Sequence, residues 1–450
     1  MNALNPYCAK VIQHLEHKYP WEKPFIQAVN EVFLSIGMVV KQDPLYGNER
    51  ILERIVEPER IYMFRVPWRD DRGNIQVNTG YRIGFNSALG PYKGGLRFHP
   101  SVTLGIFKFL GFEQTFKNAL TGLPLGGGKG GSDFSARGRS DHEIEKFCHS
   151  FMNSLYHHIG PNTDIPAGDI GVGAREIGYL FGQYKRLKIA WEGGVFTGKG
   201  IDWGGSYLRP EATGFGAAYF AEEMLKTRQE GIDGKTVAVS GFGNVAWGVV
   251  TKITEMGGKV VTLSGPDGFI HDKEGISGEK IDYMLAMRRS GRDRVEDFAE
   301  KFKVDFYPGE KPWRVKCDIA FPCACENELD RKDARALLDN GCTCVTECAN
   351  MPATQGAMDT LLESGILYSP GKASNAAGVA CSGLEMAQNS SKIRWTREGV
   401  DRRLRTIMTD IHKTCLHAAE RFGKKGNYFV GANIAGFIKV ANAMIDQGNT

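Results

Sequence analysis

The stretch 235–264 constrains the fold of this chain more than any other. Residues 235–240 have the apolar character of a buried strand, and Gly241-Phe242-Gly243-Asn244-Val245-Ala246 follows at once. Residues 245–256 then carry helical periodicity, and 259–264 read as a second strand. In such a turn the first glycine takes a conformation closed to other residues. The second lets a pyrophosphate approach the backbone, and the small Ala246 lets the helix lie close on the strand with its N-terminus toward the phosphates. Glycine spacing alone carries little in a chain with 56 glycines. The flanking strand, helix and strand make it specific, and they predict a dinucleotide-binding parallel α/β sheet. Strand-like runs at 318–322, 344–347 and 366–368 extend that sheet.

That unit occupies only part of 450 residues, so a second core is expected. With 56 basic against 52 acidic side chains the net charge is +4, which gives no field for nucleic acid or an anionic membrane. No stretch reads as the roughly 18–20 apolar residues of a membrane span, so a soluble, cytoplasmic chain is expected. Of ten cysteines, Cys323 and Cys325 lie close together, as do Cys342, Cys344 and Cys348. Their C-x-C spacing without nearby histidine does not fit zinc, and the cysteines read as free, buried thiols in a reducing compartment, with no metal.

Ahead of the dinucleotide unit the pattern differs. Residues 1–60 are helical in period, with Cys8, Val11, Ile12 and Leu15 on one stripe and Phe25, Val29, Val32, Phe33 and Ile36 on another. Ile75, Val77, Thr79 and Tyr81 alternate with polar residues, and Asp70 to Asn74 separate them from 61–68, which predicts a hairpin. A glycine-dense segment, 90–131, encloses a helix near 103–120, and a second glycine-rich loop covers 166–173.

Three lysines mark this region. Lys93 sits in Gly90-Pro91-Tyr92-Lys93-Gly94-Gly95 and Lys129 in Gly126-Gly127-Gly128-Lys129-Gly130-Gly131. Lys117 lies on the intervening helix, three residues after Gln114 and on the same face. Read as loops, the glycines clear space for a small ligand to reach ammonium and backbone N–H groups. A P-loop is excluded, because Leu123 stands at its first glycine and Gly130 follows the lysine. A Glu113–Lys117 surface pair is the bland alternative for the helix. Asp169 reads either as a helix cap or as a proton carrier beside a lysine whose proton affinity burial has lowered.

Gly90 to Phe98, Gly126 to Gly131, Pro166-Ala167-Gly168-Asp169 and Arg209-Pro210-Glu211-Ala212-Thr213-Gly214 resemble hexameric glutamate dehydrogenases of the Glu/Leu/Phe/Val dehydrogenase family, and the resemblance runs from about residue 10 to 445. It implies reversible oxidative deamination of L-glutamate to 2-oxoglutarate and ammonia. Lys93 and Ser382 would hold the γ-carboxylate, with Arg209 close by, and Lys117 with Gln114 the α-carboxylate. Lys129 would activate water, Asp169 would move protons to and from nitrogen, and Asn375 would line the pocket. Thr213 and Asn350 would contact the nicotinamide. Gly241, Phe242, Gly243, Asn244 and Val245 form the phosphate turn. Asp267, three residues beyond the usual acid position, stands at the ribose end. Phe242 and Pro266 resemble NAD-preferring members, so NAD is expected and NADP remains open. The implied architecture is a substrate-binding and oligomerisation domain over 1–204, a Rossmann-type domain over 205–427 and a C-terminal helix, 428–450, returning to the first. A homohexamer is the implied assembly, with domain closure excluding water. The rivals are a branched-chain or aromatic amino-acid dehydrogenase, disfavoured by Lys93 and Ser382, and a non-catalytic dinucleotide-binding protein, disfavoured by Lys129 and Asp169.

Overall fold

The computed structural model of the chain describes residues 4–448, apart from the Arg289 side chain. The chain divides into two compact units. The first comprises the residues up to Tyr207, the segment Val379–Val400 and the chain from Asn433 onward. The second comprises Leu208–Gly378 and Asp401–Ala432. The stretch Val379–Val400 therefore joins the first unit from the middle of the sequence, a crossing that no composition shift marks.

In the first unit the strands β1 (Arg60–Arg69), β2 (Ile75–Asn86), β3 (Tyr92–Phe98), β4 (Gly126–Ser132) and β5 (Asp164–Gly168) form one mixed sheet in the order β1-β2-β4-β3-β5. The expected hairpin is β1–β2, paired from Arg60 opposite Gly84 to Arg69 opposite Ile75. The side chain of Asp70 fixes its turn, accepting from the backbone N–H of Arg72 at 3.0 Å and of Asn74 at 2.8 Å.

The glycine-dense segment is not the pair of loops that its composition implies. Both lysine-bearing runs are buried strands, parallel to each other, and 166–168 ends a third, β5. Glycine disfavours strands for want of a side chain to pack, yet here its bareness is what the packing demands. A Cβ on Gly130 would stand 2.5 Å from the Tyr81 carbonyl oxygen, and one on Gly126 2.5 Å from that of Gly90. The glycines let helix Leu104–Leu120 and the neighbouring strands close on β4, in addition to any room they leave for a ligand.

Aromatic and aliphatic side chains fill the space behind this sheet: Trp68, Phe98, Phe134, Phe147 and Phe151 pack between β1, β3 and helix Asp141–Leu155. Helices Lys23–Gln42 and Tyr428–Asp446 are long and apolar enough to span a membrane by length and composition, against the expectation that no stretch would be. Their apolar faces serve the core: Phe25, Val29, Val32, Phe33 and Ile36 on one, and Ile434, Phe437, Val440 and Ala441 on the other, are all buried.

The second unit holds β6 (Thr236–Val239), β7 (Lys259–Val260), β8 (Thr262–Gly265), β9 (Gly268–His271), β10 (Asp305–Pro308), β11 (Ile319–Phe321), β12 (Cys344–Thr346) and β13 (Leu367–Ser369). Five of these make an all-parallel sheet in the order β13-β12-β11-β6-β7. β8, β9 and β10 form a small antiparallel sheet. The chain leaves β6 to one side for β7 and returns on the other side as β11. That reversal opens a crevice beyond the carboxyl ends of β6 and β11, where α/β sheets take their ligands.

Candidate functional site

In a strand, alternate residues share a face, so Lys93, Gly95 and Arg97 of β3 point the same way. Asp169, the first residue past β5, reaches this face because Gly95 is bare: a Cβ there would lie 2.8 Å from the Asp169 Cβ. The Asp169 Oδ2 receives the Lys129 ammonium at 3.0 Å and the Arg97 Nε–H at 3.0 Å. Asp169 does not cap the following helix. Glu176 does so instead, accepting from the Gly173 N–H at 2.7 Å. Behind the pair, the wholly buried Arg82 joins Asp164 and donates to the Gly94 carbonyl at 3.1 Å.

Burial pushes the Lys129 ammonium pKa down, Asp169 opposes that, and Arg97 and Arg82 add to it as like charges. Burial alone would raise Asp169, but the Lys129 and Arg97 charges outweigh it and hold the carboxyl down to about 2. The site thus contains a fixed carboxylate beside an ammonium that releases its proton more readily than usual.

Lys93 is only 1% exposed, and its ammonium donates to the Ile165 carbonyl at 3.0 Å. Its own carbonyl accepts from Asn118 Nδ2 at 3.0 Å, which ties helix Leu104–Leu120 to β3. Gln114 donates to Asn118 Oδ1 at 2.7 Å, and Lys117 lies half-buried on the next turn. Ser382 is buried on helix Ala377–Ser391; beside it a Cβ on Gly383 would lie 2.5 Å from Leu123 Cδ1, so that helix packs at the entry to β4. One turn further, Glu385 pairs with Lys199 at 2.7 Å, both side chains fully buried. Thr197, whose N–H donates to the Pro166 carbonyl at 3.1 Å, has a buried hydroxyl with no partner in the structure.

In the second unit Gly241 follows β6 with φ +77, and a Cβ on it would lie 3.2 Å from the Ala324 Cα. Only glycine combines that backbone with so close a neighbour. Gly243 precedes helix Asn244–Glu255 with nothing within 4 Å of where its Cβ would be, so its backbone faces open space. The N–H groups of Asn244 and Val245 begin that helix and lack intrahelical acceptors. A pyrophosphate fits such a turn. Ser264 Oγ accepts the Gly241 N–H at 2.8 Å, and Ser240 Oγ accepts that of Cys323 at 2.8 Å; these hydroxyls lock the crevice floor. Phe242 is buried beside Gly265. Asp267 Oδ1 accepts from Val295 N–H and Oδ2 from Glu296 N–H, each at 3.0 Å, so this carboxylate caps helix Glu296–Phe302.

Asn375 Nδ2 donates to the Cys348 and Ala349 carbonyls and to Asn350 Oδ1, each at 3.2 Å, while its buried Oδ1 has no partner. A Cβ on Gly378 would lie 2.7 Å from Thr213 Oγ1 and 3.8 Å from an Arg209 guanidinium nitrogen, which brings Thr213 and Arg209 together. The Arg209 Nε is buried without a partner. Beneath Asn375, the buried Glu347 accepts from Tyr368 Oη and from the Gly371 N–H at 2.7 Å.

The sequence reading assigned no role to Arg97, Arg82, Asp164, Thr197, Lys199, Glu385 or Glu347. Arg97 was within reach: once 92–98 is read as a strand, its period of two places Arg97 beside Lys93. The others depend on partners distant in sequence. Nine of the ten cysteines are buried as expected, and Cys325 is exposed. Among the described residues no three His, Cys, Asp or Glu side chains gather as metal ligands.

Residues 204–448 match the family described as Glutamate/Leucine/Phenylalanine/Valine dehydrogenase, and 58–186 match its dimerisation domain. The chain is 57% identical to a NAD-specific glutamate dehydrogenase of Bacteroides fragilis, over 98% of this chain and 99% of that one. It is 51% identical to an NADP-specific glutamate dehydrogenase of Haemophilus influenzae, over 99% and 98% of the two chains. A solved structure of a glutamate dehydrogenase superposes with a TM-score of 0.97 at 54% identity, over 99% of each chain.

Proposed function

The chain belongs to the Glu/Leu/Phe/Val dehydrogenase family, and from that premise we infer that it is an oxidoreductase, the NAD(P)-dependent glutamate dehydrogenase that interconverts L-glutamate with 2-oxoglutarate and ammonia. Relatives 51–57% identical over nearly the whole chain are glutamate dehydrogenases, which favours glutamate over branched-chain or aromatic substrates. The observation that carries the chemistry is the buried Lys129–Asp169 pair.

A bound nicotinamide dinucleotide would supply the acceptor for the hydride lost from the substrate Cα; the Gly241–Val245 turn would hold its pyrophosphate, and Thr213 and Asn350 its nicotinamide end. Loss of hydride leaves an iminium carbon. Lys129 takes a proton from the water that attacks it, and Asp169 carries protons to and from the departing nitrogen. Lys93 and Ser382 bind the γ-carboxylate and Gln114 and Lys117 the α-carboxylate, and the family resemblance assigns substrate contacts to Arg209 and Asn375 as well. NAD is the preferred dinucleotide, since Phe242 offers no hydroxyl and the turn 264–267 no arginine to a 2′-phosphate. Because Asp267 already caps a helix, any hydrogen bond it makes to the ribose uses its remaining lone pairs. The enzyme works as a cytoplasmic homohexamer; the match of 58–186 to a dimerisation domain supports its self-association.

The test is the initial rate with 2-oxoglutarate and ammonia, NADH against NADPH at matched concentrations. Faster turnover with NADH is expected. Faster turnover with NADPH reverses the cofactor preference, and no turnover with either removes the reaction.

A further inference from the structure

The oxygen of Asp169 that meets Lys129 also meets Arg97, each at 3.0 Å. Two cations therefore share one carboxylate oxygen inside the first unit. The Arg97 residue is 8% exposed, and the Asp169 and Lys129 side chains are 17% and 7% exposed. Water does little to screen such a group.

We propose that Arg97 is a positioning residue for proton transfer: its guanidinium anchors Asp169 Oδ2 opposite Lys129 Nζ and makes the three groups one cation–anion–cation unit. The proposal rests on the glutamate dehydrogenase reading only for its kinetic readout. β3 and the loop after β5 are joined directly, since the Phe98 N–H donates to the Ile170 carbonyl at 2.9 Å. Arg97 therefore acts from a rigid strand onto the residue that the loop presents. A lysine in its place would carry the charge but not the Nε–H direction.

The charged groups facing this unit come from four elements. Arg82 of β2 lies near Lys129, but Asp164 of β5 is its ion-pair partner. Lys129 is on β4 and Arg97 on β3. With Arg82 paired to Asp164, Arg97 is the cation that directly touches Asp169 besides Lys129. It lowers the proton affinity of both, acting on Asp169 by attraction and on Lys129 by repulsion. Removing the Arg97 charge must then raise both, whereas a merely structural fault would reduce turnover and leave both in place.

The experiment compares wild type, R97K, R97Q and R97M. The pH profile of kcat/KM for glutamate oxidation reports the free enzyme's acid and base. In parallel, the pH dependence of Lys129 acetylation by acetic anhydride, read by peptide mass spectrometry, reports the lysine without any turnover. In R97M and R97Q the Lys129 midpoint, and the acid limb of the profile that follows Lys129 deprotonation, are expected to move to higher pH by about one unit. R97K is expected to restore the midpoint while keeping a reduced kcat. An R97Q whose kcat falls with acid limb and midpoint unmoved overturns the proposal, as does an R97K that moves as far as R97M. If R97M does not fold, R97Q and R97K decide. A wild type without glutamate turnover but with a shifted Lys129 midpoint in R97Q would sink the reaction assignment and leave this inference standing.

Discussion

At the scale of single residues, the site works by placing charge where burial makes it consequential. Lys129→Ala removes the group proposed to activate water, and kcat is expected to fall about 10²-fold or more with the fold retained; steady-state rates and a thermal melt check both. Asp169 also bears on stability. Its folded pKa, about 2, lies below the ordinary carboxyl value of 3.8, so the folded state favours the ionised form. Its contribution is therefore present above about pH 4 and is lost as the pH falls toward 2. Glu347 has the opposite sign: burial raises it from 4.5 to about 7, so the folded state binds its proton more tightly and loses stability as the pH rises between those values. Glu347→Gln is expected to remove that loss. The melting temperature of the variant relative to wild type should then rise from pH 5 to pH 8, and a constant difference would show that Glu347 does not titrate in this range.

At the scale of elements, legibility in the sequence followed whether local pattern and tertiary packing agreed. The dinucleotide unit was legible because β6, its glycine turn and helix Asn244–Glu255 each obey their own local rules. The hairpin β1–β2 was legible for the same reason. β4 was not: six of its seven residues are glycine or serine, and only the close approach of β2 and helix Leu104–Leu120 explains why a strand forms there. Reading the Gly90 to Gly95 run as a loop likewise hid Arg97 on β3, since a loop has no faces. The substrate-binding roles came from resemblance, whereas the buried ion pairs Arg82–Asp164 and Lys199–Glu385 join residues 82 and 186 apart in sequence and leave no local trace. The same logic makes the glycine turn testable. Gly241→Ala would need φ near +77 with its Cβ 3.2 Å from Ala324. Dinucleotide affinity, measured by calorimetry, is expected to fall, while Gly231→Ala, at a site with open space, leaves it unchanged.

At the scale of the whole molecule, the question is what a single chain leaves uncovered. β1 lies at the edge of its sheet and runs ten residues, Arg60–Arg69, longer than most edge strands. The outward face of the hairpin carries Ile61, Met63, Ile75 and Val77, exposed by 43%, 65%, 64% and 60%. A long, apolar edge is a pairing hazard unless something covers it. The hairpin falls within the segment matching a dimerisation domain, so a second copy of the chain is the covering surface this reading assigns. Met63→Glu with Val77→Glu tests it. Both side chains are exposed within the single chain, so each substitution should change its stability by only about 0.5 kcal/mol. Any change of mass in solution then reports association, not unfolding. Light scattering is expected to show a smaller particle than wild type, with circular dichroism unchanged. A double variant that keeps the wild-type mass would clear this face of a role in assembly and send the search to the exposed Ile189 and Trp191, which are 92% and 60% exposed.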